Sequence, residues 1–159
     1  MEKELLLGEE VREIEILEFS AGGNRYGIDI NDVREILPND TKPTRIPNSH
    51  PYINGIIMPR DFLITIVDIM KNLNLSDTSN SEMKLIIVTS INSLNISFLV
   101  DDVIGMHRTT TANITKPGRK LTTTVKGAVS AILNVEGRKI EILELRKLIT
   151  DINPEVKLA

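Results

Sequence analysis

Few residues in this 159-residue chain are grouped in a way that could carry out a reaction. There are two histidines, His50 and His107, and no cysteine. Histidine works as a base, shuttle or metal ligand when a second group holds and tunes it. Each of these two lies in polar sequence without a partner at ligand spacing, so both read as exposed loop residues. With no cysteine there is no thiolate site, no disulfide and no cysteine nucleophile. Asp101-Asp102 is a carboxylate pair behind an apolar run. Neighbours on a strand point to opposite faces, so the two cannot share one proton there, and a strand-end turn is the better reading. Asp61 and Asp68, seven residues apart, would also face opposite sides of a regular strand. The chain carries no P-loop, GxGxxG, GxSxG or HExxH pattern. The expectation is a protein that is not an enzyme and holds no cofactor and no metal.

One charged pair remains. In Asn54–Ile69, NGIIMPRDFLITIVDI, two apolar runs flank Pro59-Arg60-Asp61, which reads as two buried strands joined by a tight turn. Proline presets the turn backbone and removes a ladder donor, so pairing should stop near Pro59. Arg60 is thereby raised to the rim. Glu35 is its candidate partner, placed on a short helix that Asn31 would cap, with Val33, Ile36 and Leu37 on one side and Pro38 ending it. An exposed pair of this kind stabilises by only about 0–1 kcal/mol. Arg60 is therefore either a solvated surface group or a residue that orients a recognition surface. Val33, Ile36, Ile46 and Ile56 read as core or as interface.

The elements that position this pair are mostly strands. Ile14, Ile16 and Phe19 mark a first strand, with a change of phase near Leu17 that fits a bulge or burial on both faces. Ala21–Asn24 is a turn, and Tyr26, Ile28 and Ile30 alternate with polar residues in a second strand. KPTRIPNSHP is an extended connector, since each proline pushes its predecessor out of the helical region. Lys71–Leu75 fits one helical turn, and Ser76–Ser81 is a polar loop. Leu85–Val88 and Leu94–Val100 form a hairpin around Asn92-Ser93. Arg108–Lys120 reads as a long polar connection. Val125–Leu133 and Lys139–Leu143 form a further hairpin around Glu136-Gly137. Leu145, Leu148, Ile149 and Ile152 fall at helical spacing, with Asn153-Pro154 as the stop. Eight to ten short strands with two short helices belong to an all-β barrel or sandwich.

Composition agrees. Hydrophobic residues make up 41% of the chain without low-complexity blocks, so a core can form. The net charge of -3 argues against a nucleic-acid binder, and five scattered aromatics make no stacking platform. No stretch reaches the roughly 20 apolar residues that span a bilayer, and the N-terminus has no basic region before an apolar one, so neither membrane insertion nor a signal peptide is expected.

Four stretches in order carry a resemblance over residues 12–152. EILEFSAGGNRYGIDINDVREIL, TRIP-NSHPYINGIIMPRDFLITIVDI, ISFLVDDVIGM and VKGAVSAILNVEGRKIEILELRKLI together resemble the CheW-like domain family. That family includes the coupling protein CheW, the regulatory domain of the histidine kinase CheA, and the N-terminal domain of CheV. The resemblance implies two SH3-like five-stranded β-barrel lobes sharing a hydrophobic core. It implies a flexible arm over residues 1–11, one domain over 12–152, and a tail or truncated linker over 153–159. It also implies a non-catalytic chemotaxis adaptor in the cytoplasm, recruited to membrane-associated arrays. Its partners would be the cytoplasmic tip of chemoreceptors and the regulatory domain of CheA.

Val33-Arg34-Glu35-Ile36, Ser49-His50-Pro51, His107-Arg108 and Asp151–Glu155 are similar to the CheV branch. The chain ends at Ala159 without the receiver that follows in CheV, so no phospho-acceptor is assigned, and a standalone CheW is the other reading. Carried over residue by residue, Val33, Glu35, Ile46, Gly55, Ile56 and Arg60 are implied in partner contact or its support, and Gly105 less directly. Two positions depart from the pattern. Asp61 stands where the family has glycine, so the turn geometry is expected to differ. Thr65 stands where the family has proline, giving that edge one more backbone donor. The alternative function is a small-molecule or oligosaccharide-binding β-barrel, which would need a concave pocket with convergent polar groups.

Overall fold

The computed structural model of the chain describes residues 10–75 and 81–152. The N-terminal arm through residue 9, most of the Ser76–Ser81 loop and the Asn153-Pro154 helix stop lie outside the described residues. The strands are β1 (Glu13–Ala21), β2 (Asn24–Asp29), β3 (Val33–Pro38), β4 (Ile53–Ile57), β5 (Ile64–Asp68), β6 (Leu85–Ile91), β7 (Leu94–Val100), β8 (Asp102–Thr110), β9 (Ile114–Thr115), β10 (Val129–Val135) and β11 (Arg138–Leu143). The α-helices are α1 (Ile69–Asn72) and α2 (Leu145–Ile152). The strands form two sheets, β8-β1-β2-β11-β10-β9 and β3-β6-β7-β5-β4. This is the expected all-β, two-lobed architecture, with six strands in one lobe and five in the other.

Local chemistry explains the hairpins. β1–β2, β6–β7 and β10–β11 each turn through two residues, Gly22-Gly23, Asn92-Ser93 and Glu136-Gly137, all at positive φ. Two consecutive left-handed residues give the turn whose twist matches the flanking strands. The phase change in β1 is a register shift between Glu18 and Phe19 against β8. Ile16 to Phe19 are all buried, so the strand is also covered on both faces.

Three hydrophobic clusters fill the molecule. The largest joins both sheets, taking Leu17, Phe19 and Tyr26 from one, Val67, Ile87 and Phe98 from the other, and Leu145, Leu148 and Ile149 from α2. A second cluster around Ile16, Leu133 and Ile140 fills the six-stranded lobe. A third around Ile64, Ile66, Ile86 and Val88 fills the five-stranded lobe. Each lobe thus has its own centre, and the two share a common core.

Four expectations are corrected. Val33–Pro38 is a strand, not a helix. The only helical residues there are the single 3-10 turn Ile30–Asp32, capped by Asp29, whose Oδ1 accepts from Asn31 N. Ladder bonding to β6 is worth more to Val33, Ile36 and Leu37 than an isolated helical turn, which is marginal in water. The single helical turn begins at Ile69 rather than Lys71, because Asp68 Oδ1 accepts from Met70 N and Lys71 N. Arg108–Lys120 is not all connection, since β8 runs to Thr110 and β9 follows. Thr65 is not on an edge, because β5 lies between β4 and β7 and Thr65 pairs with both Ile56 and Ile96.

Candidate functional site

β4 and β5 are joined by Met58–Leu63, a longer link than a tight turn. Pairing ends at Ile57↔Ile64, as Pro59 requires. Arg60 (φ 52) and Asp61 (φ 68) both sit in the left-handed region. Asp61 thus takes the backbone conformation that glycine would adopt more easily, at some cost in strain.

The loop carries Arg60 across to β3. Arg60 Nη2 donates to Glu35 Oε1 at 2.6 Å and to Oε2 at 2.7 Å. β3 and β4 are opposite ends of the sheet order, so the pair links the two ends of a curled five-stranded sheet. The Arg60 side chain is 63% exposed and Glu35 24%. At that exposure the bond contributes little stability, about 0–1 kcal/mol. Its effect is to fix where two charges sit.

Seven large apolar side chains are exposed among the described residues, and four of them, Ile36, Ile46, Met58 and Leu63, lie on β3, the connector and this loop. Gly55 is buried in β4 at φ 148, and a Cβ there would lie 2.5 Å from Thr44 O and 2.9 Å from Pro43 Cβ. Its lack of a side chain lets the connector approach, and Thr44 and Ile56 exchange backbone bonds of 2.9 Å. Ile56 is half-buried beside that bridge, and Val33 is half-buried against the common core. The structure therefore gathers Glu35, Arg60, Gly55, Ile56, Ile46 and Val33 on one lobe. Gly105 is on β8 in the other sheet, paired with Glu18, and a Cβ there would meet nothing.

The sequence reading missed several polar residues that organise the molecule. His107 is not an exposed loop histidine. It lies on β8, and its Nε2 is 2.7 Å from Oε1 of Glu18, a fully buried carboxylate. Arg138 Nη2 and Nε donate to Glu18 at 2.9 and 3.3 Å, and Arg25 Nη1 lies 3.5 Å away. Burial pushes the Glu18 pKa up, but the bonds from Arg138 and His107 outweigh it and hold the carboxyl below its ordinary value. His50 does sit in the connector, where its Nδ1 accepts from Tyr52 N at 3.1 Å and its ring packs edge-on to Tyr52. Asp101 accepts from Gly22 N and Met83 N, a turn-holding role. Asp61 is an exposed loop residue and Asp68 a helix cap, so they form no dyad. No group of three or more metal-ligating side chains occurs among the described residues.

The CheW-like domain family matches residues 15–153. This chain belongs to the CheW-like domain family. Its relatives include the chemotaxis protein CheW of Thermotoga maritima, 29% identical over 92% of this chain and 94% of that one. CheW of Klebsiella aerogenes is 30% identical, covering 91% of this chain and 86% of its own length. CheV3 of Helicobacter pylori is 25% identical over 88% of this chain, which spans 48% of that relative. The crystal structure of the scaffolding protein CheW from Thermoanaerobacter tengcongensis superposes with a TM-score of 0.79 at 28% identity, covering 93% of this chain and all of that one. Both the CheW and the CheV readings remain compatible with these relatives.

Membership in the CheW-like family does not favour a ligand-binding barrel. The lobe interiors are aliphatic, and an open groove lies between α2 and the five-stranded sheet, lined by Ile53, Leu63, Leu94, Ile149 and Ile152 together with the polar Thr65 and Asn95.

Proposed function

We propose that this chain is a non-catalytic chemotaxis adaptor that joins the cytoplasmic tip of chemoreceptors to the regulatory domain of the histidine kinase CheA. One observation supports it most: a fixed Arg60–Glu35 pair among exposed aliphatic side chains on one lobe. Exposed apolar residues with a polar rim are the surface that an amphipathic helix or a second barrel can cover. The open groove between α2 and the five-stranded sheet takes the receptor helix in this reading, and the Arg60–Glu35 face meets the kinase barrel. Glu35 and Arg60 shape the rim, Ile46 and Ile56 contribute apolar contact, and Val33 and Gly55 support the backbone behind them. Gly105, on the other lobe, supports a second contact. Residues 12–152 are the adaptor domain, flanked by an arm and a tail.

No helix among the described residues is long and apolar enough to cross a membrane. The proposed location is the cytoplasm, with recruitment to membrane arrays through the receptor. The test is a receptor–kinase assembly assay with Arg60→Ala and Glu35→Arg. Both are expected to recruit less kinase while unfolding at the wild-type temperature. Recruitment by both at the wild-type level would refute the site.

A further inference from the structure

The Met58–Leu63 loop has little to hold it in shape by itself. Its backbone bond Phe62 N→Pro59 O is long, at 3.3 Å, and no side chain caps the 3-10 turn. Two successive non-glycine residues, Arg60 and Asp61, are left-handed. A strained segment persists only where its surroundings impose it.

Phe62 is placed to impose it. One part of the ring packs against the core of the five-stranded lobe. Two guanidinium groups lie against the rest, with Arg34 Cζ 4.2 Å and Arg60 Cζ 5.8 Å from the ring centroid. Arg34 is itself held, since its Nη1 donates to Asn95 Oδ1 on β7 at 3.1 Å. Its position follows from the backbone. The β3–β6 register shifts between Val33 and Glu35, leaving Arg34 as an extra residue on an edge strand. A bulge of this kind re-aims a side chain. Here both Arg34 and its neighbour Glu35 reach the β4–β5 loop, where a regular strand would send them to opposite faces.

Resting on the adaptor reading, we propose that Phe62 and Arg34 are positioning residues for Arg60, and that partner affinity depends on them through the Arg60–Glu35 pair. Phe62 anchors the loop in the core, and Arg34 clamps the ring from the outside. The guanidinium of Arg60 then meets Glu35 already oriented, so binding need not order it.

The experiment uses the full chain and two readouts. The first is the solvent-exchange rate of the Arg60 guanidinium protons by 15N NMR. The second is affinity for a helical-hairpin peptide from a chemoreceptor tip and for the kinase regulatory domain. Phe62→Leu and Arg34→Gln should each speed exchange at Arg60 several-fold. Each should weaken binding of the kinase regulatory domain, the partner placed on this face, by about 2–5-fold, the size of an exposed cation–π contact, and leave the receptor peptide's affinity unchanged. Phe62→Tyr, which keeps the ring, should behave as wild type in both. The double variant Phe62→Leu/Arg60→Ala should bind no worse than Arg60→Ala alone. Unchanged Arg60 exchange in Phe62→Leu and Arg34→Gln would overturn the proposal whatever the partner data show. So would additive losses in the double variant, because Phe62 would then touch the partner itself. Wild-type binding by Arg60→Ala would instead refute the recognition reading, leaving positioning to be decided by the exchange rates.

Discussion

Glu18→Gln isolates the charge on a fully buried carboxylate that Arg138, Arg25 and His107 surround. Glutamine keeps the shape but removes the charge, and it turns an amide NH2 toward Arg138 or His107. Three hydrogen bonds to Glu18 are affected, two from Arg138 and one from His107. Breaking a buried ionic pair from one side costs up to 3–5 kcal/mol when the remaining charge has no solvent. Here Arg138 and Arg25 are over a third exposed and His107 nearly a quarter, so water can take them back. The expected loss is about 2–3 kcal/mol. For a chain of this size that is a fall in Tm of roughly 5–10 °C.

Urea titration at pH 7 should show a lower midpoint at an unchanged slope. The acid limb carries a second signature. Glu18 has a depressed folded-state pKa, so its contribution is fully present above the unfolded value and is lost as pH falls through the folded one. Wild type should therefore lose stability more steeply than Glu18→Gln below about pH 4.5, where unfolded carboxyls begin to bind protons. A wild-type urea midpoint in Glu18→Gln, or an identical acid slope, would refute the reasoning.

Other positions give sharper local tests. Gly55→Ala places a methyl 2.5 Å from Thr44 O at φ 148, so a loss of about 2 kcal/mol or more in urea titration is expected, with the connector amides losing exchange protection. Asp61→Gly relieves a left-handed aspartate at φ 68 and should raise stability by about 0.5 kcal/mol after the entropy of the added glycine is counted. Thr122, Thr123 and Thr124 tie the lobes together: Thr122 donates to Glu141, Thr123 to Leu73 O, and Thr124 accepts from Asn74. Thr123→Val should cost about 1–2 kcal/mol, because it leaves Leu73 O and Val125 N without their bonds, and calorimetry would show it.

The parts of the fold that were legible in the sequence are those with local causes. Gly22-Gly23, Asn92-Ser93 and Glu136-Gly137 announce their hairpins because two left-handed positions constrain residue choice. Arg60 at the rim also followed, since Pro59 must end the ladder; its pairing with Glu35 was named from a helix that is in fact β3, so the partner held while the reason for it did not. β3 was misread because Val33, Ile36 and Leu37 fit helical spacing as well as an edge strand, and only the neighbouring β6 decides between them. β8 went unread because Asp101-Asp102 looked like a strand-end turn and the exposed Ile104, Met106 and Arg108 put apolar residues on the outer face. His107 looked unpartnered because Glu18 is 89 residues away in the chain. The Arg34–Phe62 contact was invisible for a related reason. Phe62 was counted in a strand that begins at Ile64, and the bulge that re-aims Arg34 arises only when β3 pairs with β6.

The adaptor reading meets its most direct test in co-sedimentation of the kinase with vesicles carrying chemoreceptors. With this chain present, kinase should sediment with the vesicles; without it, or with Arg60→Ala at the same concentration, much less should. Equal sedimentation of kinase with no chain added, or with Arg60→Ala in place of wild type, would contradict the account.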